Sequence, residues 1–297
     1  MSNVLNLVSE STYVEKMDMQ NALLKAIAAQ SSGPALSVSS WAVVQQLVRL
    51  GIAAKVFSVG DQLVCRHKDY GTLTWDIIGI DHDKPADTAY THSLTLQLHG
   101  VLPDCFLGFD APETGSSDTN RQKYGSNNWS QSAVRQWLNS AAGAGSWWQA
   151  QTASDTAPGY AASADGFLKG LDAEFLSAVG SVSKTTAQNV ITDGGGSIVS
   201  TERFFLLSET EVYGGLNSSV AEGTAYPYYA DNSALNMAGS GTDPNRVKYS
   251  GETAQYWMLR SPQASFSAYI LRVRSTGVID SVGANSELGI SPACCII

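Results

Sequence analysis

Charge is scarce in this 297-residue chain: Asp, Glu, Lys and Arg make up 15%, against the ~25% usual in globular proteins. Basic residues are scarcer still. The balance of 18 Lys+Arg against 27 Asp+Glu leaves a formal charge of −9, which disfavours a phosphate backbone or an anionic membrane as partner. No apolar run approaches the ~20 residues that span a bilayer. The first ten residues, Met1 to Glu10, lack the cationic and apolar stretches of a secretory signal, so if the protein works outside a cell it is expected to leave by another route, such as lysis or virion assembly. The four cysteines, Cys65, Cys105, Cys294 and Cys295, form neither a zinc pattern nor a CxxC pair. Adjacent Cys294 and Cys295 sit in an apolar terminal run, where two packed thiols are expected, since neighbouring Cα atoms are too close for an unstrained disulfide.

Catalytic motifs are also missing. Gly194-Gly195-Gly196 lacks the Gly-Lys-Ser/Thr that would make it a phosphate loop, and there is no GxGxxG, HExxH or GxSxG. Asp81-His82-Asp83 is the best candidate for a metal or acid–base site, because two carboxylates beside an imidazole can hold a divalent cation or shift its pKa. The turn formers Lys84-Pro85 favour the plainer alternative, a solvated turn at a strand end. Neither a metal nor a cofactor is expected.

What remains is mixed. Tyr13, Met17, Leu24, Ile27 and Ala28 give an amphipathic helix over 13 to 29, and Trp41, Val44, Leu47 and Val48 give a second over 40 to 50, capped by Gly51. These set off an N-terminal helical region, 1–51, for packing or oligomerisation, from a domain at 52–297. Strand patterns follow at Val56 to Phe57, Gln62 to Cys65, Leu73 to Ile80 and Ser93 to Leu98, the last alternating as a half-buried strand does. Helices are expected over 130–139 and 167–179, and strands over 256–260, 268–275, 277–282 and 288–297. Long polar connections at 112–128, 141–164 and 217–248 belong to an α+β class with antiparallel strands and many loops. Trp129, Trp137 and Trp257 are expected in the core.

Several ordered motifs then carry a resemblance. Tyr256-Trp257-Met258-Leu259-Arg260-Ser261-Pro262 resembles the WWLRSP signature of a domain found in bacteriophage structural proteins of gut bacteria. Tyr124-Gly-Ser-Asn-Asn-Trp129 with Ser130 to Asn139, Phe204 to Gly214, and the closing Gly289-Ile-Ser-Pro-Ala293 are similar to further parts of it, over about 52 to 297. The resemblance implies a C-type lectin-like fold with long loops. Where relatives are asparagine-rich, this chain has a scattered mixture after Pro262, the mark of variable proteins made by diversity-generating retroelements. It implies a variable ligand-binding region at about 257–290, with Gln263, Ser265, Phe266, Ala268, Tyr269, Leu271, Arg272, Arg274, Ile279, Ser281 and Val282 as the binding surface. Tyr269, Leu271 and Val273 alternate with Ile270, Arg272 and Arg274, so both faces of that strand carry large groups. These residues are expected to share one exposed surface, aromatic and Arg-rich as interface hot spots are.

The calcium-ligating triplets of sugar-binding lectins are absent, so a protein or other surface ligand is expected at least as much as a sugar. The function expected is a non-catalytic receptor- or ligand-binding protein on a phage tail or cell surface, acting on a host-surface or other macromolecule, with homo-oligomers raising avidity. The alternatives are an oxidase of the formylglycine-generating type using Cys294 and Cys295, and a virion decoration protein.

Overall fold

The computed structural model describes residues 40–214, 220–230 and 244–297. The helix expected over 13 to 29 lies outside them. Helix α1, Trp41–Arg49, buries the stripe Trp41, Val44, Leu47 and Val48. Nine residues are too few for a helix to persist in water, so packing holds it. The Trp41 ring sits 4.6 Å from Phe175, and the Gln45 side chain donates to the Ile297 carbonyl at 2.8 Å. Helix α1 therefore shares the core of the rest, and no division into packing units appears at residue 51 among the described residues. Gly51 ends the helix at φ 66°, with the His92 ring where a Cβ would have to go.

Two main sheets follow. The first runs β1 (Gln62–His67), β2 (Gly71–Ile80), β3 (Leu94–Leu98), β15 (Ala293–Ile296) and β5 (Val179–Gly180), all antiparallel, with β8 (Phe204–Phe205) also paired to β15. The second runs β13 (Ile279–Gly283), β12 (Tyr269–Val273), β11 (Trp257–Pro262), β14 (Leu288–Gly289) and β4 (Phe106–Leu107). Here β11 and β14 are parallel, the exception to the antiparallel expectation. Two hairpins, β6–β7 (Val182–Ala187, Ser197–Glu202) and β9–β10 (Lys248–Ser250, Thr253–Gln255), complete the strands. The architecture is α+β.

Four departures from the sequence reading have local causes. Val56 and Phe57 follow a 3-10 turn, Ala53–Lys55, and form no strand. Strand β3 is buried on both faces, because Thr95 and Gln97 bond Asp83 and Tyr229 instead of water. The helix expected over 167–179 is broken: Gly170 lies against the His67 ring with no room for a Cβ, and the Asp172 carboxylate caps a separate helix, Ala173–Ala178. The strand expected over 288–297 is also two, since the chain leaves the second sheet after Gly289 and enters the first at Ala293. The C-terminal segment thus ties the sheets together over a core holding Trp75, Trp129, Trp137 and Trp257.

Candidate functional site

Antiparallel pairing of β12 with β13 sorts the expected surface residues by face. Tyr269 pairs with Gly283, Leu271 with Ser281 and Val273 with Ile279 on one face; Ile270 pairs with Val282 and Arg272 with Asp280 on the other. The first face carries a groove of about 310 Å³. Leu271, Ile279, Asp280 and Ser281 line it from the strands, and Gln263, Ala264 and Ser265 from the loop after β11. Phe266 stands exposed on that loop, its ring stacked on Tyr269 at 5.2 Å and 17°.

This corrects the single exposed surface expected. Leu271 and Ile279 are only 3% and 5% exposed and line the groove as part of the core's outer edge. Ala268 is fully buried, and its carbonyl accepts from the Ala284 amide at 2.9 Å. Arg272, Arg274 and Val282 belong to the opposite face. Arg272 lies over the Tyr256 ring at 4.6 Å and, with Arg274, donates to Asp280, while Val282 packs on the core. Partial burial opposes ionisation of Asp280, yet the two guanidinium bonds hold its carboxyl below the usual range. Gln263, Ser265, Phe266, Tyr269 and Ser281 remain as accessible members of one face.

Neighbours outside the expected binding surface extend this face. Tyr124 meets Tyr269 edge-on at 5.4 Å and lies over Gly283, where a Cβ would stand 2.9 Å from its ring. Lys123 sits 4.9 Å from the Tyr124 ring, and its hydrogen bond lowers the phenol's pKa. On the loop's other side, the Val190 amide donates to the Ala264 carbonyl at 2.9 Å, and Val190 and Ile191 are 54% and 55% exposed. Aliphatic side chains left in water beside a groove mark an interaction patch more than a fold requirement.

The loop is held by its backbone. The Asn127 amide donates to the carbonyls of Phe266 (2.7 Å) and Tyr269 (2.8 Å), and its oxygen accepts from Asn189 at 2.8 Å. The Arg121 guanidinium donates to the Ser267 carbonyl at 3.3 Å and pairs with Asp193 at 2.7 Å. Asp193 also accepts from Asn128 and Asn189, and the Ser267 hydroxyl donates to Asp118 at 2.7 Å. Helix α2, Thr119–Tyr124, capped by the Asp118 carboxylate, delivers Arg121 to this latch and Lys123 and Tyr124 to the rim. Asn127 also sits just before Trp129, which anchors the segment in the core.

Below the loop, Arg260 of β11 is fully buried and donates through both terminal nitrogens to Glu211, at 2.6 and 3.0 Å. Glu211 also pairs with Lys184 at 3.0 Å, and Lys184 with Asp83. Burial opposes charge here. For Glu211, Arg260 and Lys184 overcome it and lower the pKa; for Asp83, Lys184 with Thr95 and Tyr226 holds the pKa at about 2. For Glu222 the Arg260 charge does not overcome burial. Its carboxyl bonds the Ser261 hydroxyl and the Ala187 amide, and burial pushes its pKa up to about 7.

The Asp81-His82-Asp83 cluster comes apart in this setting. Asp81, at φ 54°, accepts from the Ser93 amide and His92; His82 stacks on Tyr226 at 4.3 Å; Asp83 turns inward to Lys184. Asp83 and His82 are not in the solvated turn expected of them, and no group of three or more His, Cys, Asp or Glu among the described residues is placed to hold a metal ion. Cys294 and Cys295 are free and fully buried, and burial raises both thiols far above their ordinary pKa. A second depression, of about 380 Å³, lies near Asn285 between Phe106, Asp110 and Tyr160. Burial pushes the Asp110 carboxyl up to about 8.

Residues 101–297, about two thirds of the chain, match the DUF6273 family, described as a domain of unknown function. The chain belongs to that family. The matched span contains every residue of the groove, its rim and the Asn127 latch, as well as Arg260, Glu211 and Lys184. Strands β1 to β3, which finish the first sheet, precede it. Searches of curated proteins and of solved structures found no match.

Proposed function

We propose that this DUF6273 protein is a non-catalytic ligand-binding protein, carried on a phage tail or a cell surface, whose C-terminal segment is diversified by a retroelement. The observation that carries the reading is the way the loop is held. The bonds from Asn127 and Arg121 end on main-chain carbonyls at 266, 267 and 269, so they survive whatever side chains stand at 265, 266 and 269. A surface meant to vary needs that separation of fixed backbone from free side chains. The resemblance to retroelement-diversified phage proteins puts the variable positions on the same loop and hairpin, and a C-type lectin-like architecture forms part of the proposal. A last strand at the centre of one sheet and a loop-rich face at the edge of the other are in keeping with it.

The oxidase alternative has less support, because a thiolate is the reactive form and both adjacent thiols are buried and protonated. The decoration-protein alternative draws on the burial of Ala268, Leu271 and Ile279, but it leaves Phe266, Val190 and Ile191 in water without a purpose.

Adsorption to bacteria of the source community tests the proposal. Phe266→Ala with Tyr269→Ala should leave the melting temperature within a few degrees and reduce adsorption at least about tenfold, since a hot spot is worth ~2 kcal/mol. Unchanged adsorption by a folded variant contradicts it.

A further inference from the structure

Strand β13 forms the edge of its sheet, paired with β12 alone. The phase of its bonds follows from the two that flank the ladder: the Ala284 amide donates to the Ala268 carbonyl, and the Arg274 amide to the Val278 carbonyl. Hydrogen-bonded pairs therefore fall on the even positions, 280 and 282 of β13. The amides and carbonyls of Ile279 and Ser281 point away from the sheet, and neither residue's backbone has a hydrogen-bond partner among the described residues.

Soluble proteins guard such an edge with lysine, proline, a bulge or an inward charge. Ile279-Asp280-Ser281-Val282-Gly283 has no lysine or proline, its register against β12 is unbroken, and its one charge, Asp280, is engaged by Arg272 and Arg274. The opposite edge of the other sheet is treated differently, for β1 exposes Arg66 and is bridged at His67 by Leu171. Strand β13 spans roughly 17 Å at ~3.4 Å per residue. Alongside it lies the groove with its Leu271 and Ile279 lining and, beyond the loop wall, exposed Phe266, Val190 and Ile191.

Resting on the binding function proposed above, we infer that the ligand is an extended polypeptide segment of a partner protein, which adds to β13 as a further strand. Its main chain bonds the outward amides and carbonyls of Ile279 and Ser281, and alternate side chains enter the groove over Leu271 and Ile279. Recognition of this kind suits a diversified site. The backbone bonds supply affinity that does not depend on sequence, and the side chains at 265, 266, 269 and 281 choose among segments.

The test uses the whole chain against a displayed library of random linear peptides, with a panel of bacterial surface glycans as the competing probe. The expected result is enrichment of peptides with apolar residues at alternate positions. The leading peptide should slow amide exchange at Ile279 and Ser281 in the unsubstituted chain, a reading that needs no variant to fold. Ser281→Pro removes an outward amide that an edge strand can spare. It should weaken that peptide at least about tenfold more than Ser281→Ala does, because alanine changes the side chain and keeps the amide. No enriched peptide, a bound peptide that leaves both amides exchanging as before, or a glycan held equally by the unsubstituted chain and Ser281→Pro overturns the inference. If the Phe266→Ala, Tyr269→Ala variant loses adsorption to cells while folded Ser281→Pro keeps it, the binding function stands and the polypeptide ligand falls. If both adsorb normally, both fall.

Discussion

Asn127 does more for the loop than any residue displayed on it. Its amide satisfies two carbonyls that would otherwise face a buried polar latch. Asn127→Ala should cost ~1–3 kcal/mol in chemical denaturation, the range for leaving buried acceptors unpaired, and should loosen the loop. Phe266→Ala should change stability by less than about 0.5 kcal/mol, because its ring is 42% exposed. An equal loss at both positions would mean that the loop is not held as described. The family resemblance marks Phe266 and Tyr269, Tyr269 also stands among the large groups on both faces of its strand, and the run Tyr124 to Trp129 is visible as a motif. The sequence could not join the two, because 142 residues separate Asn127 from the Tyr269 carbonyl it bonds and no periodicity links them. Val190 and Ile191 had no signal either, since two aliphatic residues before a glycine run read equally well as the end of a strand.

At the level of elements, runs of aliphatic and aromatic residues bounded by turn residues made strands β1, β2, β12 and β13 legible; β1 alternates along its length, whereas β2 is buried on both faces from Trp75 to Gly79. Alternation could not tell which face of β12 was open. Tyr269 and Leu271 turn toward the groove and Arg272 toward Asp280, a choice made by the loop 263–268 and by Tyr256, far from the strand's own pattern. The break between β14 and β15 was hidden for a related reason: both halves are apolar, and only their different partner sheets separate them. Strand β11 fixes the whole hairpin, so its anchors should be costly to remove. Trp257→Ala should lose ~3–5 kcal/mol in a denaturant titration, as a fully buried aromatic does. Glu211→Ala should lose a similar ~3–5 kcal/mol by leaving Arg260 and Lys184 without their shared carboxylate. A cost below ~1 kcal/mol for either would place these residues outside the core.

For the whole molecule, the buried carboxylates set opposing pH trends. Asp83 and Glu211 have lowered pKa values, so their contribution is present at neutral pH and is lost as pH falls below about 4, through the folded-state values. Glu222 has a raised value of about 7, so the folded chain holds a proton that the unfolded chain releases near 4.5. Its contribution is full below 4.5 and is lost as pH rises through about 7. Asp110, raised to about 8, adds to the same trend, so the melting temperature should fall between pH 5 and pH 8, and Glu222→Gln should reduce that slope without abolishing it. A slope that Glu222→Gln leaves unchanged would put Glu222 in the wrong protonation state.

The proposal that a fixed base presents a face free to vary is tested most directly by sequencing this gene from many cells of one source community. The prediction is that substitutions concentrate at Ser265, Phe266, Tyr269 and Ser281, with Asn127, Glu211 and Arg260 unchanged. Identical codons at those four positions, or substitutions spread evenly over loop and latch alike, would contradict it.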